Sequence, residues 1–196
     1  MPFTYAQTLE EKGPIITSGI LKIETFYRDS VKLLNNMVYL KSLDKKIVDS
    51  LYIPGDDYSQ FTKEIKSRGY YPQETYGIIY FDSYPVEDGN YKVYCNDNWY
   101  YINNVAGFTT YIPWGDFIMD IVSVGTTDRN PLRQQPSIEG KKIAYDYSNV
   151  RMVPKKVQGG WLFVDIYDIE LTDLLGRGWL QWRSKNDLLV ELQYAH

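Results

Sequence analysis

Between Tyr76 and Val124, aromatic and β-branched residues recur in runs of five to eight. Turn-formers separate the runs at Glu87-Asp88-Gly89-Asn90, Asn96-Asp97-Asn98, Asn103-Asn104 and Pro113-Trp114-Gly115. Consecutive hairpin strands read this way, because Asx and Gly residues accept the turn conformations that join antiparallel neighbours. The stretch predicts an antiparallel sheet.

The N-terminal third carries a different period. Ile16, Ile20, Ile23, Tyr27, Val31, Leu34 and Val38 fall in steps of three and four, the helical spacing. Gly19 to Tyr27 also reads as a strand, since Ile20, Ile23 and Phe26 are stiff or aromatic and Gly19 is a poor helix former; the period favours helix. From Val31 to Leu51, Leu33, Leu34, Met37, Leu40, Leu43, Ile47 and Leu51 line one helical face, with Lys41, Asp44, Lys45 and Asp49 on the other. Pro54-Gly55 stops that helix, and Asp56 or Asp57 caps the next, Tyr58 to Arg68, which buries Phe61 and Ile65 and ends at Gly69. Pro2 to Lys12, with Thr4 as an N-cap candidate, fits a short helix or an extended arm. The expected organisation is a helical arm over residues 1–72 and an antiparallel β domain over 73–196.

At Gly125 the pattern stops. Gly125 to Gly140 holds two prolines, mixed charge and no apolar period, which predicts a long loop at 125–140, either a contact arm or a disordered surface segment. Strands are expected again at Lys142 to Tyr147 and Trp161 to Leu171. Leu174 to Gly178 turns the chain into Trp179 to Arg183, and Leu188 to Tyr194 closes the sheet. The fold class is α+β: an antiparallel β-sandwich or barrel-like sheet with a helical N-terminal arm.

Composition narrows the function classes. The 196 residues are enough for an ordinary core without disulfides or metals. A net charge of −4, with basic residues spread along the chain, disfavours free-standing nucleic-acid binding. Cys95 stands alone and reads as a packing residue, and no apolar run reaches the roughly 18 residues of a membrane span. One histidine, His196, is the last residue, so triads and relays built on histidine are not expected. The 19 Tyr and 5 Trp point instead to contact surfaces, as strand filler, protein interface or sugar platform.

Each candidate chemistry has a plain structural alternative. Asp168 and Glu170 share a strand face and Asp165 takes the other, a density that could serve a glycosidase, but alternate strand residues share a face by period alone. Asp88, Asn90, Asp97 and Asn98 carry oxygen ligands, yet lack calcium-loop spacing and are the residues that turns use. No phosphate-binding glycine motif occurs. No catalytic residue, metal or cofactor is expected, and the chain reads as non-enzymatic.

Asn98-Trp99-Tyr100-Tyr101-Ile102-Asn103-Asn104 with Gly107-Phe108 resembles one unit of the aromatic repeats in choline-type cell-wall-binding modules. Sites in that family lie between successive repeats, and one copy occurs here, so the likeness implies a hairpin. Trp99, Tyr100, Tyr111 and Trp114 nevertheless suggest a sugar-stacking patch, whose alternative is that they cover the sheet.

A second resemblance concerns assembly. Phe61-Thr62-Lys63-Glu64-Ile65-Lys66-Ser67-Arg68-Gly69-Tyr70, followed by Tyr-rich strands such as Tyr91 to Cys95 and Trp99 to Ile102, resembles part of the tail-tube gatekeeper ring proteins of short-tailed bacteriophages. The likeness covers about a quarter of the chain, and the family closes its fold with helices where this chain returns to strands after Lys142. It implies a virion subunit, assembled in the host cytoplasm, that forms a homo-oligomeric ring in the neck or tail, touches other virion structural proteins and lets DNA pass without sequence-specific binding. Arg129, Asn130, Pro131, Leu132 and Arg133, in the long loop, are the expected interface residues. The alternative function is a carbohydrate-binding or receptor-recognition module using the Trp/Tyr-rich sheet face.

Overall fold

A computed structural model describes residues 17–24, 36–53, 61, 69–73, 76–127, 129–185 and 187–193. The described chain is predominantly antiparallel β-sheet and divides into two compact units, one spanning Thr17–Trp114 and the other containing the described residues from Gly115 onward.

The first unit is built on one eight-stranded sheet. Its strands are β1 (Gly19–Glu24), β2 (Asn36–Lys41), β3 (Ile47–Ile53), β4 (Gly69–Gln73), β5 (Tyr76–Pro85), β6 (Tyr91–Cys95), β7 (Asn98–Ile102) and β8 (Thr109–Pro113). The order is β3-β2-β7-β6-β5-β1-β8. β5 is long enough to take β1 along one edge and, in succession, β4 and β6 along the other. Leu21, Ile23, Val38, Leu40, Leu51, Ile53, Phe81, Val93, Cys95 and Ile102 form the core on one sheet face, joined by Phe61, which meets Phe81 edge-on at 6.3 Å.

The turns follow the chemistry read from the chain. Asn96 and Asp97 both take positive φ, 50° and 59°, between the paired residues Cys95 and Asn98, the two-residue turn whose twist matches antiparallel strands. The Asn103 side chain extends the short β2–β7 pairing: its amide donates to Met37 O at 2.9 Å and its oxygen accepts from Tyr39 N at 2.6 Å. Gly19 has no room for a side chain, because a Cβ there would run into the Ile112 carbonyl and lie 2.6 Å from the Tyr111 ring.

The helical arm is corrected for the described residues: Gly19–Glu24 is a strand, and the predicted helix from Val31 to Leu51 is replaced over its described part by the β2–β3 hairpin. The expected stripe mixed two populations. Leu40 and Leu51 are buried, whereas Leu43 and Ile47 are 55% and 60% exposed around the hairpin turn. Removing those two leaves the alternation Val38, Leu40 and Leu51, Ile53 that a half-buried strand pair requires. The helix expected at Tyr58 to Arg68 lies outside the described residues except for Phe61, as does the Pro2 to Lys12 arm.

The second unit opens within α1 (Trp114–Asp120), whose first residue closes the first unit, in a stretch the sequence reads as a turn running on into strand. Its five-stranded sheet has the order β12-β11-β10-β9-β15, with β9 (Ser123–Gly125), β10 (Val150–Gln158), β11 (Trp161–Asp168), β12 (Leu174–Gln181) and β15 (Glu191–Gln193); β13 (Arg183–Ser184) and β14 (Asp187–Leu188) make a small separate pair. Neither sheet closes into a barrel. β10 was not anticipated, since Pro154-Lys155-Lys156 hides its alternation; the register shifts between Pro154 and Lys156, where a bulge accommodates the proline. Lys142 to Tyr147, expected as a strand, contributes only the isolated bridge of Lys142 to Arg133.

Candidate functional site: exposed aromatic and apolar surfaces

Pairing in the first sheet sorts its aromatic residues by face. Tyr84 lies opposite Lys92, Lys92 opposite Tyr101, and Tyr94 opposite Trp99, so these five share the face turned away from the core. Trp99 packs between Tyr84 (5.7 Å between ring centroids) and Tyr94 (5.2 Å), with the Lys92 ammonium 4.8 Å from its ring centre. Tyr100 and Tyr91 belong to the opposite face, where they pack against the core. Tyr111 stacks on Tyr91 at 6.5 Å and bonds the Ser18 hydroxyl at 2.7 Å.

The four residues named for sugar stacking are therefore not brought together. Trp99 and Tyr100 project from opposite faces, as consecutive strand residues must. Trp114 is 2% exposed and donates its indole N–H to Thr17 Oγ1 at 3.2 Å. The half-buried group on the outer face is Trp99 with Tyr84, Tyr94 and Lys92; the strand register supplies the partners that composition alone did not.

The segment 125–140 is bonded to the rest of the second unit through Gly125 and through Asn130 to Gln134. Arg133 exchanges backbone hydrogen bonds with Trp179, and Gln134 N and Ile143 N bond Lys141 O and Leu132 O, making a short ladder beside β12. Leu132 is fully buried, and the buried Arg133 guanidinium donates to Gly140 O at 2.8 Å. The Asn130 amide donates to Gln181 O and Leu189 O at 2.8 and 3.0 Å. Of the five expected interface residues, Arg129 is exposed, Asn130 and Pro131 are half-buried, and Leu132 and Arg133 face inward.

The carboxylates do not converge. Asp165 pairs across the strands with Arg177, 3.6 Å from its Nε. Asp168 ends β11 and caps the following turn, accepting from Thr172 N and Oγ1 at 2.7 and 2.6 Å and from Asp173 N at 3.2 Å. Those bonds, the Thr172 side chain first, hold its carboxyl below the usual carboxylate range. Glu170 is exposed in the turn itself. At the other turns, the Asn90 side chain lowers the Asp88 pKa in the same way, and no group of three or more His, Cys, Asp or Glu among the described residues is placed to hold a metal ion. No helix among the described residues is long and apolar enough to cross a membrane.

The most distinctive surface is apolar. Among the described residues, every exposed large hydrophobic except Ile138 belongs to one of two hairpins: Leu43, Ile47 and Tyr52 on β2–β3, and Ile169, Leu171, Leu174 and Leu175 on β11–β12. Both turns are fixed by hydrogen bonds: Ser42 N to Lys46 O at 2.9 Å in the first, and Leu171 N to Asp168 O at 3.1 Å with the Asp168 cap in the second. Leu171 holds φ at 61°, the left-handed region that a leucine rarely occupies. A register shift between Ile166 and Tyr167 leaves Leu175 as the extra residue of a bulge on β12.

No protein-family model, curated protein or solved structure matches this chain.

Proposed function

We propose that the chain is a non-enzymatic structural subunit that assembles into a homo-oligomeric ring in the neck or tail of a tailed bacteriophage, contacting other virion proteins. The observation that carries the assembly reading is the pair of ordered hairpins that hold leucines and isoleucines in water. Scattered exposed apolar residues are ordinary, but clusters on fixed turns mark contact surfaces, and covering them gains roughly 25 cal/mol per Å². The virion setting rests on the likeness of Phe61 to Tyr70 to gatekeeper ring proteins and on the Tyr-rich, histidine-poor composition.

Light scattering behind a sizing column, over a concentration series, tests the reading. A discrete closed oligomer, or a monomer that joins a ring when virion partners are added, is the expected result. A monomer at every concentration, with or without such partners, overturns it.

A second reading, carbohydrate or receptor recognition, is favoured by Trp99 lying half-buried between Tyr84 and Tyr94 on the sheet face turned away from the core. A glycan array probed with the wild type and with Trp99→Ala tests it; binding lost in the variant supports sugar recognition, and no binding by the wild type rejects it.

A further inference from the structure

The two apolar hairpins carry opposite charge. Around the β11–β12 turn, Asp168, Glu170 and Asp173 accompany Ile169, Leu171, Leu174 and Leu175, and no lysine or arginine occurs from Asp168 to Gly176. Around the β2–β3 turn, Lys41, Lys45 and Lys46 accompany Leu43 and Ile47, with Asp44 as the one acidic residue from Lys41 to Ile47; Asp88 of the β5–β6 turn also lies within electrostatic reach of Lys45 and offsets part of that charge. Asp44 is already engaged by Lys46, 2.9 Å away, and by the Ser42 hydroxyl. Lys45 and Lys46 remain exposed, as do Glu170 and Asp173.

From this complementarity we propose that the acidic, leucine-rich β11–β12 hairpin of one copy docks on the basic β2–β3 hairpin of the next. The inference rests on the assembly reading above and names the surfaces that would make it. A head-to-tail ring needs two different surfaces on each subunit that fit one another, and these hairpins belong to different units of the chain. The apolar side chains supply area to bury, while opposite charges at the rim steer encounter and penalise two like hairpins meeting. Two acidic tips would repel, as would two basic ones, so the charges select the heterologous pairing over a symmetric dimer.

Reciprocal charge reversal tests the pairing on the full chain. Glu170→Lys with Asp173→Lys makes the tip basic, and Lys45→Glu with Lys46→Glu makes the other hairpin acidic. All four side chains are exposed, so folding should survive, and circular dichroism checks it. Each two-site variant should associate at least about a hundredfold more weakly than wild type at low salt, and the variant carrying all four changes should recover association. Raising salt from about 0.05 to 0.5 M should weaken the wild-type assembly, because exposed charges are screened.

If the wild type oligomerises and the reversals leave its mass unchanged, this pairing is refuted while the assembly reading stands. A wild type that is monomeric in every condition removes both. If the wild type stays monomeric and binds phosphatidylcholine vesicles through Leu171 and Leu175, lost on changing both to Ser, the tip belongs to a lipid surface and the docking proposal falls.

Discussion

Arg133 and Trp179 exchange both backbone hydrogen bonds, each at 2.8 Å, so a residue of the segment 125–140 serves as an additional rung beside β12. The buried Arg133 guanidinium then reaches Gly140 O and closes the segment on itself. Arg133→Met keeps most of the apolar stem but leaves that carbonyl short of a charged donor, so it should cost about 1–3 kcal/mol in chemical denaturation. A stability equal to wild type would show that the side chain is dispensable. Deleting 125–140 would likewise remove the buried Leu132 and the Asn130 amide bridge, so loss of assembly in that deletion would report folding as much as contact.

Ser83 offers the opposite case. It is fully buried in β5 and its hydroxyl has no hydrogen-bond partner among the described residues. Ser83→Ala removes an unsatisfied polar atom without adding volume, and should raise stability by about 1 kcal/mol, read as a higher denaturation midpoint. A midpoint that falls would mean the hydroxyl is satisfied in solution.

Much of this architecture was legible in the sequence and part of it was not, for reasons that lie in particular residues. The β6–β7 hairpin showed itself through Asn96-Asp97, because a local turn requirement is written into local residue types. β2–β3 did not, because Leu43 and Ile47 are apolar yet exposed around the hairpin turn, and their spacing completes a false helical stripe. Pro154 concealed β10 by being tolerated at a bulge. The aromatic residues were correctly read as abundant, but only strand register decides that Trp99 and Tyr100 face opposite ways.

Burial pushes the Cys95 thiol up to about 12. In the native protein it should resist Ellman's reagent at pH 8, and react fully in denaturant. The raised pKa favours the folded state below the ordinary thiol pKa, and that contribution is lost as pH rises from about 9 through 12, since the unfolded chain ionises there and the folded one does not. Stability of the wild type should therefore fall more steeply above pH 9 than that of Cys95→Ala. Parallel curves would place the thiol in contact with water.

Lys92 and Trp99 should be energetically coupled. With the ammonium 4.8 Å from the ring centre, a double-mutant cycle of Lys92→Ala and Trp99→Ala should return about 0.5–1 kcal/mol. A coupling near zero would mean that the lysine does not rest on the ring.

Leu171 pays for its position with a left-handed backbone. Leu171→Gly relieves roughly 1–2 kcal/mol of that strain but adds unfolded-chain entropy worth roughly 0.5–1, so thermal stability should rise slightly. Self-association should weaken in the same variant, since the tip loses one of its apolar side chains. A variant that is both less stable and fully associating would contradict both expectations.

The placement of β1 also sets a clock. β1 is hydrogen-bonded between β5 and β8, and its Gly19 pairs with Pro113. At ribosomal speeds of about 5–20 residues per second, the roughly ninety residues between those partners take about 5–20 s to synthesise. During that interval the edge of β1 that β8 will cover has no native neighbour, and β1 as a whole waits for β5. The first unit thus completes its sheet only near the end of its own translation, and nascent chains held close together on one message would have time to exchange this strand before each closes on itself.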